Sequence, residues 1–476
     1  MKKKNAPAGN LRSPIVVILG HVDHGKTTLL DYIRKTKVAD KEAGGITQRI
    51  GASVAETKEG KRITFIDTPG HAAFAKMRSR GAYVADLAIL VVAGEEGVKP
   101  QTQEALNFIK EAGIPFIVAA TKMDLHTASL ENVRGGLEKL GVSFEGRGGD
   151  VSLIPVSGKT GEGVENLLEV ITLTAEIHGV KGDSEKPLEA VVIETGKDKK
   201  GLTASVVVRN GKLEIGKEVV SENSGTKIRG LFNFKGESVK TIYPGEPALL
   251  LGFENLPAVG SRLWDKEDKD AKIASEVEKK AGLAQVDEGK IPIILKTQSA
   301  GALEAVLSNL PIEVVVLFSG VGDVTENDVF LAKSTGSEIF AFEVKVPSTI
   351  FKFAETEGIK IETFEIVYEL FQRIDEIIKG EKIEVIGKAT VLAVFPFDNK
   401  RIAGCKIIQG KLSKGDFCIL TRNEKQLGEV KILTVKKGRQ EVQEAGQGEE
   451  CGILFSPQLD FKVSDVLLSV LKHAKK

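Results

Sequence analysis

The run Gly20-His21-Val22-Asp23-His24-Gly25-Lys26-Thr27, entered directly from the apolar stretch Ile15-Val16-Val17-Ile18-Leu19, constrains this chain more than any other feature. It fits the phosphate-binding pattern G-x-x-x-x-G-K-[ST] in the context that pattern needs: a buried strand, a glycine-pinned loop, then a helix. The glycines let successive backbone N–H groups turn inward onto a triphosphate, and the helix adds the positive end of its dipole. Lys26 offers a point charge to the β- and γ-phosphates, and the Thr27 hydroxyl completes a Mg²⁺ shell. Apolar strands and helical stretches then alternate, so residues 13–180 read as a doubly wound parallel α/β domain.

Strands are expected at Ile63 to Ile66, Leu87 to Val92, Phe116 to Ala120 and Leu153 to Val156. Each ends in a polar cluster, where ligands of such folds sit. The first runs into Asp67-Thr68-Pro69-Gly70-His71. Asp67 can hold Mg²⁺ through a water, Gly70 can offer its N–H to a γ-phosphate with no Cβ in the way, and His71 lies where a side chain can orient an attacking water. Upstream, Ala43-Gly44-Gly45-Ile46-Thr47-Gln48 is a glycine-loosened segment with one hydroxyl. Thr47 is a candidate to ligate Mg²⁺ and sense the γ-phosphate, with an ordinary surface loop as the other reading. Thr121-Lys122-Met123-Asp124 places a carboxylate that can accept from guanine N1–H and N2–H₂ together, a donor pair adenine lacks. Ser157-Gly158-Lys159 can turn a backbone N–H toward guanine O6. Five elements in this order make the first domain a GTPase that uses GTP/GDP and Mg²⁺.

At 476 residues the chain exceeds a single core and implies several domains. Its 66 basic residues balance 66 acidic ones, so RNA contacts must come from local patches. Cys405, Cys418 and Cys451 form no CxxC pair and have no histidine at zinc-ligand spacing. That favours a reducing compartment over a disulfide framework or structural metal. No apolar run approaches the length of about 18 residues that marks a membrane-crossing helix, so no membrane partner is expected. Residues 1–12 open with Met1-Lys2-Lys3-Lys4-Asn5, lack a signal-like apolar core, and read as a disordered basic tail on a cytoplasmic protein.

Gly20 through Thr27 with Thr28, together with Asp67 through His71, resembles the translational GTPases. Ala43 to Gln48, Pro69-Gly70-His71-Ala72-Ala73-Phe74, Met77-Arg78-Ser79-Arg80-Gly81-Ala82, Gly97-Val98-Lys99-Pro100-Gln101-Thr102 and Ser319 to Val329 narrow the likeness to the bacterial translation initiation factor 2 family. The likeness runs from about residue 13 to the end, in a short form lacking the family's long N-terminal region. Three positions depart from it. Thr121 stands for the usual Asn, Ser157-Gly158-Lys159 for Ser-Ala-Lys (a more flexible backbone), and Gly438 for an aromatic residue.

Farther along, Ala204 to Gly216 realigns on Ala403 to Gly415, each copy a strand, a Gly-Lys-Leu turn and a second strand. Gly245-Glu246 matches Gly448-Glu449 at nearly the same offset. A duplicated small antiparallel barrel is the economical reading, with shared turn grammar as the alternative. Between the copies, Ile291 to Leu295 reads as a strand, Ala302 to Leu310 as a helix and Ile312 to Phe318 as a strand. Glu362 to Lys382 then shows apolar residues at helical spacing, Phe364, Val367, Leu370, Phe371, Ile374, Ile377 and Ile378. That predicts an amphipathic helix of about 20 residues and roughly 30 Å. The expected architecture is multidomain α/β plus β: a P-loop GTPase domain (13–180), a β-barrel (183–268), an α/β/α domain (275–360), a long linker helix (361–382) and a C-terminal β-barrel (383–476).

The resemblance further implies that the terminal barrel binds the formylmethionyl end of initiator tRNA. Cys405, Glu450, Cys451 and Gly452 would sit at the methionine slot, and Lys436, Lys437 and Arg439 in the phosphate-contacting loop; without the resemblance, the cysteines read as core filler and the basic cluster as a solvated turn. It implies that Val22 and Ile46 gate His71, and that the partners are the 30S and 50S ribosomal subunits, initiator tRNA and other initiation factors, met as a monomer. Two rivals stand beside it. A tRNA-carrying elongation factor is disfavoured because its barrels run consecutively, and a ribosome-assembly module would use GTP as a timer without loading tRNA.

Overall fold

The sheet that carries the phosphate loop is built from β1 (Ile15–Gly20), β2 (Gly51–Glu56), β3 (Arg62–Asp67), β4 (Leu87–Ala93), β5 (Phe116–Thr121) and β6 (Leu153–Pro155), in the order β2-β3-β1-β4-β5-β6. Only β2 runs antiparallel to its neighbour. β1 and β4 are buried at every position, as central strands covered on both faces must be. Helices α1 (Lys26–Arg34), α2 (Ala75–Val84), α3 (Pro100–Ala112), α4 (Leu130–Glu138) and α5 (Val164–Ile177) supply the cover. Ile18, Phe65, Ile89 and Ala119 pack with Leu29, Leu30, Leu167 and Ile171 in one apolar cluster. Each fully buried Leu or Ile there contributes about 1.5–3 kcal/mol. The loops after β1, β3, β5 and β6 leave the same carboxyl edge of the sheet.

The computed structural model describes residues 12–36, 47–48, 50–198, 201–222, 224–266, 290–379, 382–397, 400–422, 425–438, 440–457, 459–463 and 465–473. They divide into two units, Met1–Glu369 and Leu370–Lys476. The tail expected over 1–12 is shortened by one residue at least. Arg12 is buried and donates twice to Asp86, at 2.6 and 2.7 Å, so it belongs to the folded domain; residues 1–11 lie outside the described residues.

Residues 189–265 form an antiparallel sheet around the hairpin of Glu189–Asp198 with Gly201–Asn210. Residues 291–364 form a parallel sheet in the order Val314–Val321, Ile291–Thr297, Glu338–Phe342, Ile361–Phe364. Its crossovers carry α6 (Ala300–Asn309), α7 (Glu326–Thr335) and α8 (Ser348–Thr356). The helix expected over 362–382 is shorter than its pattern suggests. Ile361–Phe364 is an edge strand, and only Val367–Lys379, here α9, is helical. Phe364 satisfied the helical spacing but is buried beside Phe340, ring on ring at 5.5 Å, as part of the sheet.

In the second unit the strand Lys382–Phe397 pairs with both Val466–His473 and Lys400–Ser413, which closes the sheet into a barrel. The repeat read from sequence reappears in its hydrogen bonds. Val208 donates to Glu246 O (3.2 Å) and accepts from Gly245 N (2.7 Å); Ile407 donates to Glu449 O (3.0 Å) and accepts from Gly448 N (2.9 Å). Gly211 and Gly410 hold φ near 68° and 64°, Gly216 and Gly415 near 87° and 95°. Turn grammar alone does not reproduce bonds between strands distant in sequence, so the two segments share one barrel design.

A Cβ at Gly410 would lie 2.0 Å from Ile386 O in a left-handed backbone. Gly410→Ala should therefore lower stability by about 1–3 kcal/mol. Differential scanning calorimetry reads this as a lower unfolding temperature, and an unchanged one would contradict the role given to this glycine.

Candidate functional site

β1 delivers the chain to Gly20 at φ 152°, where a Cβ would strike Val91 O at 2.4 Å. Asp23 at φ 62° and Gly25 at φ 82° then curl the loop over the start of α1. Among the described residues no side chain caps α1, so its first N–H groups face the loop's concavity. Gln101 of α3 accepts from Val22 N at 3.1 Å and fixes the loop from behind.

Lys26 is buried in this cradle and donates to His21 O at 2.6 Å. Burial lowers its pKa to about 8, against the opposing pull of Asp67. Asp67, the last residue of β3, is fully enclosed, which raises its pKa. Its Oδ1 is buried with no hydrogen-bond partner among the described residues. The Thr27 and Thr47 hydroxyls lie 2.8 Å apart. Two hydroxyls and an unpartnered carboxylate oxygen are hard donors of the kind Mg²⁺ takes, so this set fits that ion. Gly70 closes the floor: a Cβ there would meet Lys26 Nζ at 2.4 Å.

The far end of the cleft is held by hydroxyls. Thr121 Oγ1 donates to His24 O at 2.6 Å and ties the end of β5 to the phosphate loop. Ser157 Oγ donates to Asp124 at 2.7 Å and accepts from Thr160 N at 3.1 Å, which aims the carboxylate. Lys122, at φ 58°, pairs with Glu95 and lies 3.6 Å from Glu96. Gly158, read from sequence as looser backbone, is where β6's loop presses on α1: its Cβ would fall 2.9 Å from Leu29 N. Close approach, rather than flexibility, is its structural role.

His71 caps the short helix Ala72–Phe74 by accepting from Ala73 N at Nδ1, 2.9 Å. Its ring is 9% exposed, and burial followed by the Arg78 charge lowers its pKa to about 4. Arg78 is fully buried and committed to Pro69 O, His71 O and Glu104.

These groups line one cleft of about 370 Å³, walled by Val22, Asp23, Gly25, Lys26, Thr27, Thr28, Thr47, Gly70, His71, Thr121, Lys122, Asp124, Gly158 and Lys159. Gly20, His21, Asp67, Thr68, Pro69, Met123 and Ser157 are not among the residues that wall it; Thr68 donates to Ile18 O. The His24 ring is fully buried, and burial lowers its pKa to about 4, while its carbonyl accepts from Thr121. Ile46 lies outside the described residues. Sequence reading missed Leu125 and Tyr368, which also line the cleft. Tyr368 comes from the first turn of α9, and no local signal ties it to the site.

In the C-terminal barrel, Cys405 sits directly across from Cys451, Gly404 from Gly452 and Lys406 from Glu450. Strand alternation sends both cysteines into the core beside Cys418, Val435 and Ile453, with exposures of 1% and 5%. Burial raises all three thiol pKa values, those of Cys418 and Cys451 to about 12 and about 11. The cysteine thiols thus lie in the core, as the core-filler reading has it. The outward face at this level carries Gly404, Gly452, Glu450 and Lys436, with the Phe395 ring over Gly404. Lys437 pairs with Glu449 at 2.5 Å, and Arg439 lies outside the described residues.

Residues 11–176 match the elongation factor Tu GTP binding domain, residues 187–266 elongation factor G domain 2, and residues 265–375 translation-initiation factor 2. A relative from Thermus thermophilus, translation initiation factor IF-2, is 38% identical over 98% of this chain and 87% of its own length. The protein of that name from Aquifex aeolicus is also 38% identical, over 95% of this chain. The chain spans 60% of the Aquifex protein and 58% of a Nitratiruptor relative. Among solved structures, GDP-bound aIF5B from Aeropyrum pernix aligns with 97% of this chain and 92% of its own, at 28% identity and a TM-score of 0.47.

Burial sets a pH limit on binding. Below about 8 Lys26 carries its charge before a triphosphate arrives, and above that value a proton must be taken up on binding. GTP affinity should be flat from pH 6.5 to 7.5 and weaken above 8, approaching about tenfold per pH unit. Calorimetric titration across this range checks it, and constant affinity up to pH 9.5 would contradict it.

Proposed function

Because the chain belongs to the translation initiation factor IF-2 family, we propose that it is a ribosome-activated GTPase of translation initiation, converting GTP and water to GDP and phosphate. In its GTP state it binds formylmethionyl initiator tRNA to the 30S subunit and promotes joining of the 50S subunit; hydrolysis releases it. It works as a cytoplasmic monomer alongside other initiation factors. One observation carries this reading: the phosphate loop, Thr47, Gly70, His71 and the loops after β5 and β6 meet in a single cleft that holds the Thr27–Thr47 hydroxyl pair, with Asp67, one of whose oxygens has no partner among the described residues, buried at the end of the strand that leads to Gly70.

The roles follow from position. Asp124, aimed by Ser157, accepts from the two guanine donors, and the Thr121 hydroxyl holds its loop to the phosphate loop. Lys26 and the open N-terminus of α1 bind the phosphates. Thr27 and Thr47 directly, and Asp67 through water, would hold Mg²⁺, which supplies neutralising charge to the phosphate oxygens. His71 is neutral at physiological pH and orients the attacking water once its ring swings from its present place against the Ala72–Phe74 turn. Ribosomal RNA is the agent that draws it in, past a gate of Val22 and Ile46. Arg78 is bound to backbone carbonyls and Glu104, so it cannot act as an arginine finger, and hydrolysis by the factor alone is slow.

The C-terminal barrel takes the tRNA end on its outward face. Backbone-flat Gly404 and Gly452 beside the half-exposed Phe395 ring offer an apolar shelf, and Lys436, Lys437 and Arg439 offer charge to phosphates. The buried cysteines support the shelf from beneath.

His71→Ala should keep GTP affinity within about twofold while ribosome-stimulated phosphate release falls by about a hundredfold or more. Undiminished release in stopped flow would remove His71 from catalysis. In filter binding, formylated initiator tRNA should be retained at least about tenfold more tightly than the unformylated form, a difference of about 1.4 kcal/mol. Equal retention would favour the timer-module rival.

A further inference from the structure

A tyrosine from outside the GTPase domain covers His71. Tyr368, in the first turn of α9, meets the His71 ring edge-on, with centroids 3.9 Å apart and planes at 84°. It is the more exposed partner, 53% against 9%, so the tyrosine shields the histidine and not the reverse. With Nδ1 accepting from Ala73 N, the free edge of the imidazole is the one a water would need.

The turn that bears Tyr368 is itself gripped. Gln48 Nε2 donates to Glu365 O at 2.6 Å, and Gln48 Oε1 accepts from Val367 N at 3.0 Å. Gln48 is buried, and both functions of its amide are taken up on the chain flanking Tyr368. Its neighbour in sequence is Thr47, whose hydroxyl meets Thr27. A shift of Thr47 with the γ-phosphate must therefore move Gln48, and Gln48 cannot move without tugging the start of α9. That start carries the ring lying on His71.

We propose that Tyr368 is a positioning residue for hydrolysis: its ring holds His71 away from the attacking water, and Gln48 couples release of that hold to the state of the Thr47 segment. This rests on the GTPase reading above. The restraint is steric and aromatic, so the phenol hydroxyl is dispensable.

Single-turnover GTP hydrolysis by the full chain without ribosomes tests the proposal. Tyr368→Ala should hydrolyse GTP about fivefold faster or more, the loss of one aromatic contact being worth a factor of this size. Tyr368→Phe should stay within about twofold of the parent, and Gln48→Ala, which frees the turn but keeps the ring, should also accelerate. The gain must vanish in the His71→Ala, Tyr368→Ala double variant. A second readout needs no catalysis: carbethoxylation of His71 by diethyl pyrocarbonate, followed by peptide mass spectrometry, should quicken in Tyr368→Ala and Gln48→Ala but not in Tyr368→Phe. Unchanged hydrolysis and unchanged modification in both Tyr368→Ala and Gln48→Ala would overturn the proposal, as would a gain that survives loss of His71. A parent chain that neither binds GTP nor responds to ribosomes would instead sink the GTPase reading itself.

Discussion

Burying the Lys26 ammonium at the mouth of α1 removes a charge from water that the fold compensates only in part. One carbonyl, His21 O, accepts from it, and Asp67 lies close enough to favour its charge yet is itself enclosed with one oxygen that has no partner among the described residues. Such a pair is costly to leave as it stands. The neighbouring features are provision for an anion and a cation that complete it: glycine at 20 and 70 where a side chain would collide, a helix start that no side chain among the described residues caps, and two hydroxyls meeting at Thr27 and Thr47.

This incomplete electrostatic centre is connected to distant chain by short, well-defined bonds. Thr121 joins the end of β5 to the loop after β1 across 97 residues, and Gln48 joins the Thr47 segment to the start of α9 across 317. Arg78 pins both ends of the turn that carries His71. A ligand that moved Thr47 would act on the start of α9 through Gln48, the kind of linkage that a switch between two states requires.

The parts legible in the sequence are those with backbone or donor requirements that few residues meet. The phosphate loop, Asp67, Asp124 and Ser157 were placed because glycine conformations, hard-oxygen donors and paired acceptors leave a mark at fixed spacing. The repeated barrel was visible for the same reason, through Gly211 and Gly410 at positive φ. Tyr368 was not legible: a ring that contacts residue 71 from position 368 answers to tertiary packing alone. The strand Ile361–Phe364 was absorbed into a helical pattern because spacings of three and four do not separate a short edge strand from the helix that follows it. Cys405 and Cys451 carry no sign of their facing until strand register is known, and register sends them inward.

The central claim is that the cleft around Lys26 and Asp124 is completed by a guanine triphosphate with Mg²⁺. Isothermal titration of the purified chain with GTP and then ATP in magnesium buffer tests it most directly. Saturable heat at one site with GTP, and none with ATP at the same concentrations, is the result expected. Comparable binding of ATP, or no binding of GTP, would contradict it.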